Sequence, residues 1–203
     1  MIDDALDSLP LVAILRGIEP VEAAEIGGVL YRLGARCVEV PLNSPSPFDS
    51  IRELASSLPD DCLVGAGTVV NVDDVRRVRE AGGRLIVTPN TSEAVIAESL
   101  DAEMQIIPGV ATATDAFTAV QLGVTHLKLF PASTYGPAHV RALLAVLPPN
   151  TRFLAVGGIG AADFSQWRSA GVAGFGVGSE LYRPGDSADD VEKKMLVMRA
   201  ALE

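Results

Sequence analysis

Short apolar runs alternate with longer amphipathic stretches along the whole chain. The first run, residues 11–15, is continuously apolar, which is typical of a strand buried on both faces. The stretch after it begins at Pro20, which suits the first turn of a helix, and stops at Gly34, a common helix terminator. The same order recurs along the chain. Strands are predicted at 11–15, 37–42, 63–69, 85–88, 104–108, 126–130, 152–156 and 174–178. Helices are predicted at 20–33, 47–57, 72–81, 92–100, 114–122, 137–147, 161–170 and 188–200.

Eight strand–helix units predict a parallel sheet that closes into a (β/α)8 TIM barrel of the α/β class. A short amphipathic helix over residues 2–8 precedes the first strand. A doubly wound open sheet is the alternative, although it usually has fewer units. The chain has 203 residues, which is short for a barrel, so the connecting loops must be brief. Neither a linker nor a low-complexity tract interrupts the pattern, and we expect residues 1–203 to form a single domain.

Composition narrows the classes of partner. The chain carries 26 acidic and 16 basic side chains, a formal net charge of −10, which argues against nucleic acid and anionic membranes as partners. No apolar run approaches the ~20 residues of a membrane span, and the N-terminus lacks a signal-peptide pattern, so we expect a cytoplasmic protein. Cys37 and Cys62 lack metal or redox spacing and are interpreted as buried thiols. No ligand constellation predicts a metal, and no cofactor is expected.

One lysine lies in the middle of the apolar sixth strand. The chain has only three lysines, and the other two, Lys193 and Lys194, lie in the charged C-terminal helix. Burial would lower the pKa of Lys128, and a fall from about 10.4 to about 7–8 would make it a useful amine near neutrality. We interpret Lys128 as a Schiff-base nucleophile. The alternative is an edge-strand lysine that points to solvent.

Two more charges lie on strands whose C-terminal ends would form the active face of a barrel. Glu39 is isolated between two valines in the second strand, as Lys128 is in the sixth, which suggests a pair across the barrel interior. A structural salt bridge or an outward-facing glutamate is the alternative. Arg16 ends the first strand, and its guanidinium suits a carboxylate or a phosphate. A surface ion pair is the alternative for Arg16.

Glycines follow the last two strands, where barrel enzymes commonly bind phosphate. The pairs Gly157-Gly158 and Gly178-Ser179 would let backbone N–H groups approach an anion closely. The alternative is that these glycines only permit tight turns. His126 and His139 lack a partner pattern, and both are interpreted as structural.

Taken together, the strand-end motifs resemble the KDPG/KHG class I aldolase family. The resemblance covers residues 10–183 approximately. It rests on Glu-Val at 39–40, Gly-Ala-Gly-Thr at 65–68, Pro-Gly at 108–109, Lys-Leu-Phe-Pro at 128–131 and Gly-Gly-Ile at 157–159.

The resemblance implies that Lys128 forms a Schiff base with pyruvate and that Glu39 moves protons through a water molecule. It implies that Thr68 and Arg16 hold the pyruvyl carboxylate and that Phe130 packs beside the imine. The remaining substrate-binding residues implied are Pro108, Val156 and, around the distal phosphate, Gly157, Gly158, Gly178 and Ser179. A homotrimer is also implied.

Within the family, the motifs favour the branch that acts on the galactonate epimer. The gluconate branch usually has arginine at the position of Asn43 and threonine at that of Val156, and it generally lacks Arg16. We therefore expect cleavage of a phosphorylated 2-keto-3-deoxygalactonate to pyruvate and glyceraldehyde 3-phosphate. The gluconate epimer, or both epimers, is the alternative substrate. A phosphosugar isomerase or epimerase and a non-catalytic binding barrel are the competing functions.

Overall fold

Parallel strands form a barrel surrounded by helices in the computed structural model, which describes residues 1–203. The strands are β1 (Leu11–Ile14), β2 (Cys37–Pro41), β3 (Leu63–Gly67), β4 (Leu85–Val87), β5 (Gln105–Ile107), β6 (Gly109–Val110), β7 (His126–Leu129), β8 (Arg152–Val156) and β9 (Gly174–Val177). They pair in the order β5-β4-β3-β2-β1-β9-β8-β7-β6. The predicted TIM barrel is confirmed.

The helices follow the strands as predicted, with three differences. They are α1 (Ile2–Ser8), α2 (Pro20–Arg32), α3 (Pro47–Ser57), α4 (Val72–Glu80), α5 (Glu93–Asp101), α6 (Ala113–Gln121), α7 (Ala132–Tyr135), α8 (Pro137–Leu144), α9 (Phe164–Arg168) and α10 (Ala188–Leu202). The short α7 was not predicted, and α8 ends three residues before the predicted boundary. The helix predicted over 161–170 is a 3-10 turn, Ala161–Asp163, followed by α9.

The fifth strand, predicted over 104–108, extends beyond that range to Val110 and is divided at Pro108, which gives nine strand segments for eight barrel positions. On one side β5 pairs with β4, and on the other β6 pairs with β7, so the ring closes through this residue. Proline cannot donate to a strand ladder, which is why the regular pairing stops there. Its carbonyl still accepts a hydrogen bond of 2.9 Å from the backbone N–H of Lys128.

Alternate residues of each strand face two different apolar cores. In β1, Val12 and Ile14 face the barrel axis, whereas Leu11 and Ala13 pack against the helices. Helix α1 adds Ile2, Ala5 and Leu6 to the inner core. This helix covers the end where the strands begin, so the opposite, C-terminal end of the barrel is the open one.

Several residues outside that open end match their predicted structural roles. Cys37 and Cys62 are buried and unpaired, as predicted. His126 is buried at the start of β7, where its Nε2 lies 3.5 Å from an Asp3 carboxylate oxygen of α1. His139 lies elsewhere, with Nε2 at 2.7 Å from the Ala111 carbonyl oxygen. None of the helices combines the length and apolar character that a membrane crossing requires.

Candidate active site

A cavity of about 1110 Å³ opens at the C-terminal end of the barrel. The structure brings ten of the eleven predicted site residues to its wall. They are Arg16, Glu39, Thr68, Lys128, Phe130, Val156, Gly157, Gly158, Gly178 and Ser179. These residues come from six strands and the loops that follow them, which explains how distant motifs form one site.

Pro108 is the predicted site residue that the structure does not bring to the cavity wall. It is buried between β5 and β6, and its carbonyl accepts from the Lys128 backbone. Its carbonyl therefore supports the backbone of Lys128 from outside the cavity lining.

Glu39 and Lys128 are both buried on the inner face of the barrel. Glu39 is 2% exposed and Lys128 is 6% exposed, so the alternatives of a solvent-facing lysine and an outward glutamate are excluded. The two side chains do not form a direct ion pair, which leaves space between them. The Lys128 ammonium lies 4.5 Å from the centroid of the Phe130 ring.

Burial brings the pKa values of Glu39 and Lys128 closer together. Desolvation raises the pKa of Glu39 to about 7, although the charges of Lys128 and Arg16 oppose the rise. Desolvation also lowers the pKa of Lys128, an effect that Glu39 opposes and Arg16 reinforces. Both groups can therefore exchange protons nearer to neutrality than they would in water, which suits acid–base and nucleophilic chemistry.

Gly67, at the end of β3, is a site residue that we did not predict individually. A Cβ atom at this position would lie 2.1 Å from one carboxylate oxygen of Glu39 and 2.3 Å from the other. The nearer oxygen, Oε2 of Glu39, is buried and has no hydrogen-bond partner in the protein. The only sequence signal was the Gly-Ala-Gly-Thr motif, because Gly67 acts by leaving space for the carboxylate.

Thr68 follows Gly67 in a strained backbone conformation. Its φ is +59°, a left-handed value that is a genuine outlier for a β-branched residue. Strain of this kind is most often found at functional sites, where the surrounding fold holds it. Here the left-handed conformation of Thr68 turns the chain at the end of β3, and Thr68 lines the cavity.

Arg16 lies at the cavity wall between the loops that follow β1 and β2. Its Nη1 donates a hydrogen bond of 2.5 Å to Oδ1 of Asn43. The adjacent Gly17 N–H donates to Oγ of Ser44 at 2.9 Å. Arg16 has no carboxylate partner, so the surface ion pair considered from the sequence is excluded.

The glycines after β8 have conformations that other residues rarely adopt. Gly157 and Gly158 have φ values of +98° and +71°. A Cβ at Gly158 would also lie 2.8 Å from Oγ of Ser133, so both conformation and space favour glycine. The backbone N–H groups of Gly158, Ile159 and Ser179 donate to no protein acceptor. These free donors make the wall suitable for an anion.

The cavity wall also contains basic residues that the sequence pattern did not identify. Arg183 follows the loop after β9, and its Nε donates to the Ser179 carbonyl at 2.8 Å. Lys194 of α10 also lines the cavity and is paired with Asp186. Neither residue belongs to a motif: Arg183 lies in the loop after β9, and Lys194 reaches the site only because α10 packs beside the barrel. No group of His, Cys, Asp and Glu side chains has the arrangement of a metal site.

The sequence profile of the family described as "Aldolase: KDPG and KHG aldolase" matches residues 2–195. The chain belongs to the KDPG and KHG aldolase family. It is therefore an aldolase of the lyase class, and the family prediction is confirmed.

Two relatives and one solved structure resemble the chain over most of its length. A protein of Rhizobium meliloti named "Probable 2-dehydro-3-deoxy-6-phosphogalactonate aldolase" is 44% identical over 96% of this chain and 92% of its own length. The Escherichia coli 2-dehydro-3-deoxy-6-phosphogalactonate aldolase is 46% identical over 89% of this chain and 88% of its own. A structure titled "Native KDPGal structure" aligns with a TM-score of 0.92 and 44% identity, covering 95% and 94% of the two chains.

Proposed function

We propose that this chain is a class I aldolase that cleaves 2-dehydro-3-deoxy-6-phosphogalactonate to pyruvate and D-glyceraldehyde 3-phosphate. The observation that carries the proposal is the pair formed by Lys128 and Glu39, two buried titratable groups in one cavity with pKa values shifted toward neutrality. The relatives at 44% and 46% identity, both named for the galactonate epimer, support the choice of substrate.

The reaction begins with formation of an imine at Lys128. The neutral Nζ attacks the C2 carbonyl carbon, and the carbonyl oxygen becomes a hydroxyl. Loss of that hydroxyl as water leaves a protonated imine, with the new C2–N bond in place of the former C2–O bond. Glu39, whose pKa is raised to about 7, can deliver the proton that the departing water needs.

The protonated imine then accepts the electrons of the C3–C4 bond. Glu39 removes the proton of the C4 hydroxyl, C4 becomes the aldehyde carbon of glyceraldehyde 3-phosphate, and the bonding pair moves through C3 to the imine nitrogen. The resulting enamine takes a proton at C3 from Glu39. Water then hydrolyses the pyruvyl imine, which releases pyruvate and returns Lys128 as the free amine.

The two anionic ends of the substrate fit two different parts of the cavity wall. The carboxylate fits the wall of Arg16 and Thr68, beside Lys128. The phosphate fits the free N–H groups of Gly158, Ile159 and Ser179. Gly157 and Gly178 complete that end of the wall, and Phe130 covers the imine position.

Val156 provides the basis for the choice of epimer. It lines the cavity on β8 and is 6% exposed. A valine offers no hydroxyl to the C4 region of the substrate, whereas the gluconate branch usually has threonine, which can form a hydrogen bond, at this position. The site therefore lacks one interaction that would favour the gluconate epimer, and dual use of both epimers is the alternative.

Borohydride trapping tests the proposed chemistry. Wild-type chain is incubated with pyruvate, reduced, digested and mapped by mass spectrometry, and the adduct is expected on Lys128. Lys128→Met should abolish both the adduct and the release of pyruvate from the phosphogalactonate. Lys193→Met removes an exposed lysine of α10 and should leave both unchanged. A wild-type chain that cleaves the substrate without a reducible adduct at Lys128 would refute the mechanism.

Three further expectations accompany this proposal. We propose a homotrimer, as the resemblance implies, which light scattering coupled to gel filtration measures directly. We also propose that residues 1–203 form a single domain, which one cooperative unfolding transition would support. A cytoplasmic location is proposed from the sequence, and cell fractionation tests it.

A further inference from the structure

We propose that Asn43 is a positioning residue: together with Ser44 it holds Arg16 over the cavity, so that the guanidinium meets the carboxylate of the keto acid. The inference rests on the proposed function, because it requires a keto acid bound beside Lys128. It gives a role to a residue that the family motifs left without one.

Two consecutive residues after β2 hold two consecutive residues after β1. Asn43 Oδ1 accepts from Arg16 Nη1 at 2.5 Å, and Ser44 Oγ accepts from the Gly17 N–H at 2.9 Å. Ser44 is buried, whereas Asn43 is exposed. The buried contact therefore fixes the backbone of the β1 loop, and the exposed contact fixes the side chain that projects from it.

The chemistry of asparagine suits this role. Arg16 makes no other hydrogen bond or ion pair in the protein, so its one partner is a neutral amide. A neutral acceptor holds the guanidinium and leaves its positive charge uncompensated. A guanidinium has five N–H donors, and Asn43 uses one of them, so a free edge remains for two-point binding of a carboxylate.

A long exposed side chain needs such a contact. Arginine loses considerable rotamer freedom when a ligand orders it, and a residue that orders it beforehand removes part of that cost from binding. The field of Arg16 also reaches the reacting groups, since its charge lowers the pKa of both Glu39 and Lys128. Arg16 and Lys128 also line the same cavity, so a keto acid bound at Lys128 places its carboxylate in the field of Arg16.

A trapping experiment with two keto ligands tests the role of Asn43. Borohydride reduction at Lys128 is measured as a function of the concentration of pyruvate, and of pyruvamide, in which a neutral amide replaces the carboxylate. The variants are Asn43→Ala, Arg16→Ala and the double variant. Asn150→Ala is the matched control, because Asn150 is an exposed asparagine in the loop before β8 with no side-chain hydrogen bond in the protein.

Asn43→Ala is expected to raise the half-saturating pyruvate concentration by about threefold to tenfold, the range for ordering one long side chain. The value for pyruvamide should not change, and Asn43→Ala should add nothing in the Arg16→Ala background, because Asn43 acts through Arg16. Equal shifts for both ligands, additive effects with Arg16→Ala, or a result equal to that of Asn150→Ala would each overturn the inference. Absence of any adduct in the wild-type chain would instead refute the proposed function, and the positioning role with it.

Discussion

Gly67→Ala offers a direct test of how the barrel holds its buried carboxylate. The added Cβ would lie 2.1 Å, 2.3 Å and 2.4 Å from Oε2, Oε1 and Cδ of Glu39. Favourable contacts between non-bonded heavy atoms need about 3.5–4.0 Å, so the carboxylate must retreat by more than about 1 Å. Any such retreat moves the carboxylate out of the buried position from which it faces the cavity together with Lys128.

The expected consequence is a large loss of turnover with a modest loss of stability. A displacement of about 1 Å at a reacting group can cost about 10²-fold in rate, and loss of a general acid–base costs about 10²–10⁴-fold. We therefore expect the kcat for phosphogalactonate cleavage to fall at least about 100-fold, which corresponds to about 2.7 kcal/mol. Overpacking of this kind should reduce the free energy of unfolding by about 1–3 kcal/mol.

The assay couples pyruvate release to NADH oxidation by lactate dehydrogenase, and urea denaturation measures stability. Gly28→Ala is the matched control: it adds the same methyl group inside α2, where the nearest atom would lie 3.5 Å away, an ordinary contact. This variant should keep wild-type turnover and should be slightly more stable, because alanine favours a helix. A Gly67→Ala chain that is folded and turns over at the wild-type rate would refute the role assigned to Gly67.

Three further predictions concern titration and specificity. Burial raises the pKa of Glu39 from 4.5 to about 7, so the native chain binds this proton more tightly than the unfolded chain does. The native chain should therefore lose stability as pH rises from 4.5 to 7. Glu39→Gln should remove this pH dependence, which is worth up to about 3 kcal/mol in the free energy of unfolding measured by urea denaturation at pH 5 and pH 8. Burial lowers the pKa of His126, so the native chain should lose stability as pH falls below 6.5. In thermal melts, His126→Leu should reduce the fall in melting temperature between neutral and acidic pH. An unchanged fall would contradict this prediction. Val156→Thr should raise the ratio of kcat/KM for the gluconate epimer over the galactonate epimer by about tenfold, the value of one hydrogen bond, whereas an equal ratio would exclude Val156 as the basis of preference.

The barrel was predictable because local sequence patterns indicate where its strands and helices begin and end. Continuous apolar runs mark strands that are buried on both faces, and each run is followed by a stretch with helix start and stop signals. Lys128 and Glu39 stood out as single charges within such runs. Their common inward orientation also follows from strand alternation, once the register of each strand is known.

Other parts of the site depend on contacts that local patterns do not encode. Gly67 contributes the absence of a side chain, and its partner is set by the register between β2 and β3, in which Glu39 pairs with Gly65. The bond between Arg16 and Asn43 spans 27 residues of sequence. Lys194 reaches the cavity only because α10 packs beside the site. The break at Pro108 was visible as a proline, but its consequence required knowledge of both neighbouring strands.

The acidic chain and its anionic substrate are reconciled by the local charges of the cavity. The formal net charge is −10, so the long-range field opposes a ligand that carries both a carboxylate and a phosphate. Arg16, Lys128 and Arg183 line the wall, and Glu39 is the acidic residue closest to the chemistry. Burial raises the pKa of Glu39 to about 7, so its carboxyl group carries less negative charge near neutral pH than an exposed glutamate would. The same desolvation that makes Glu39 a usable acid therefore also weakens its repulsion of the substrate, so one physical cause serves both binding and catalysis.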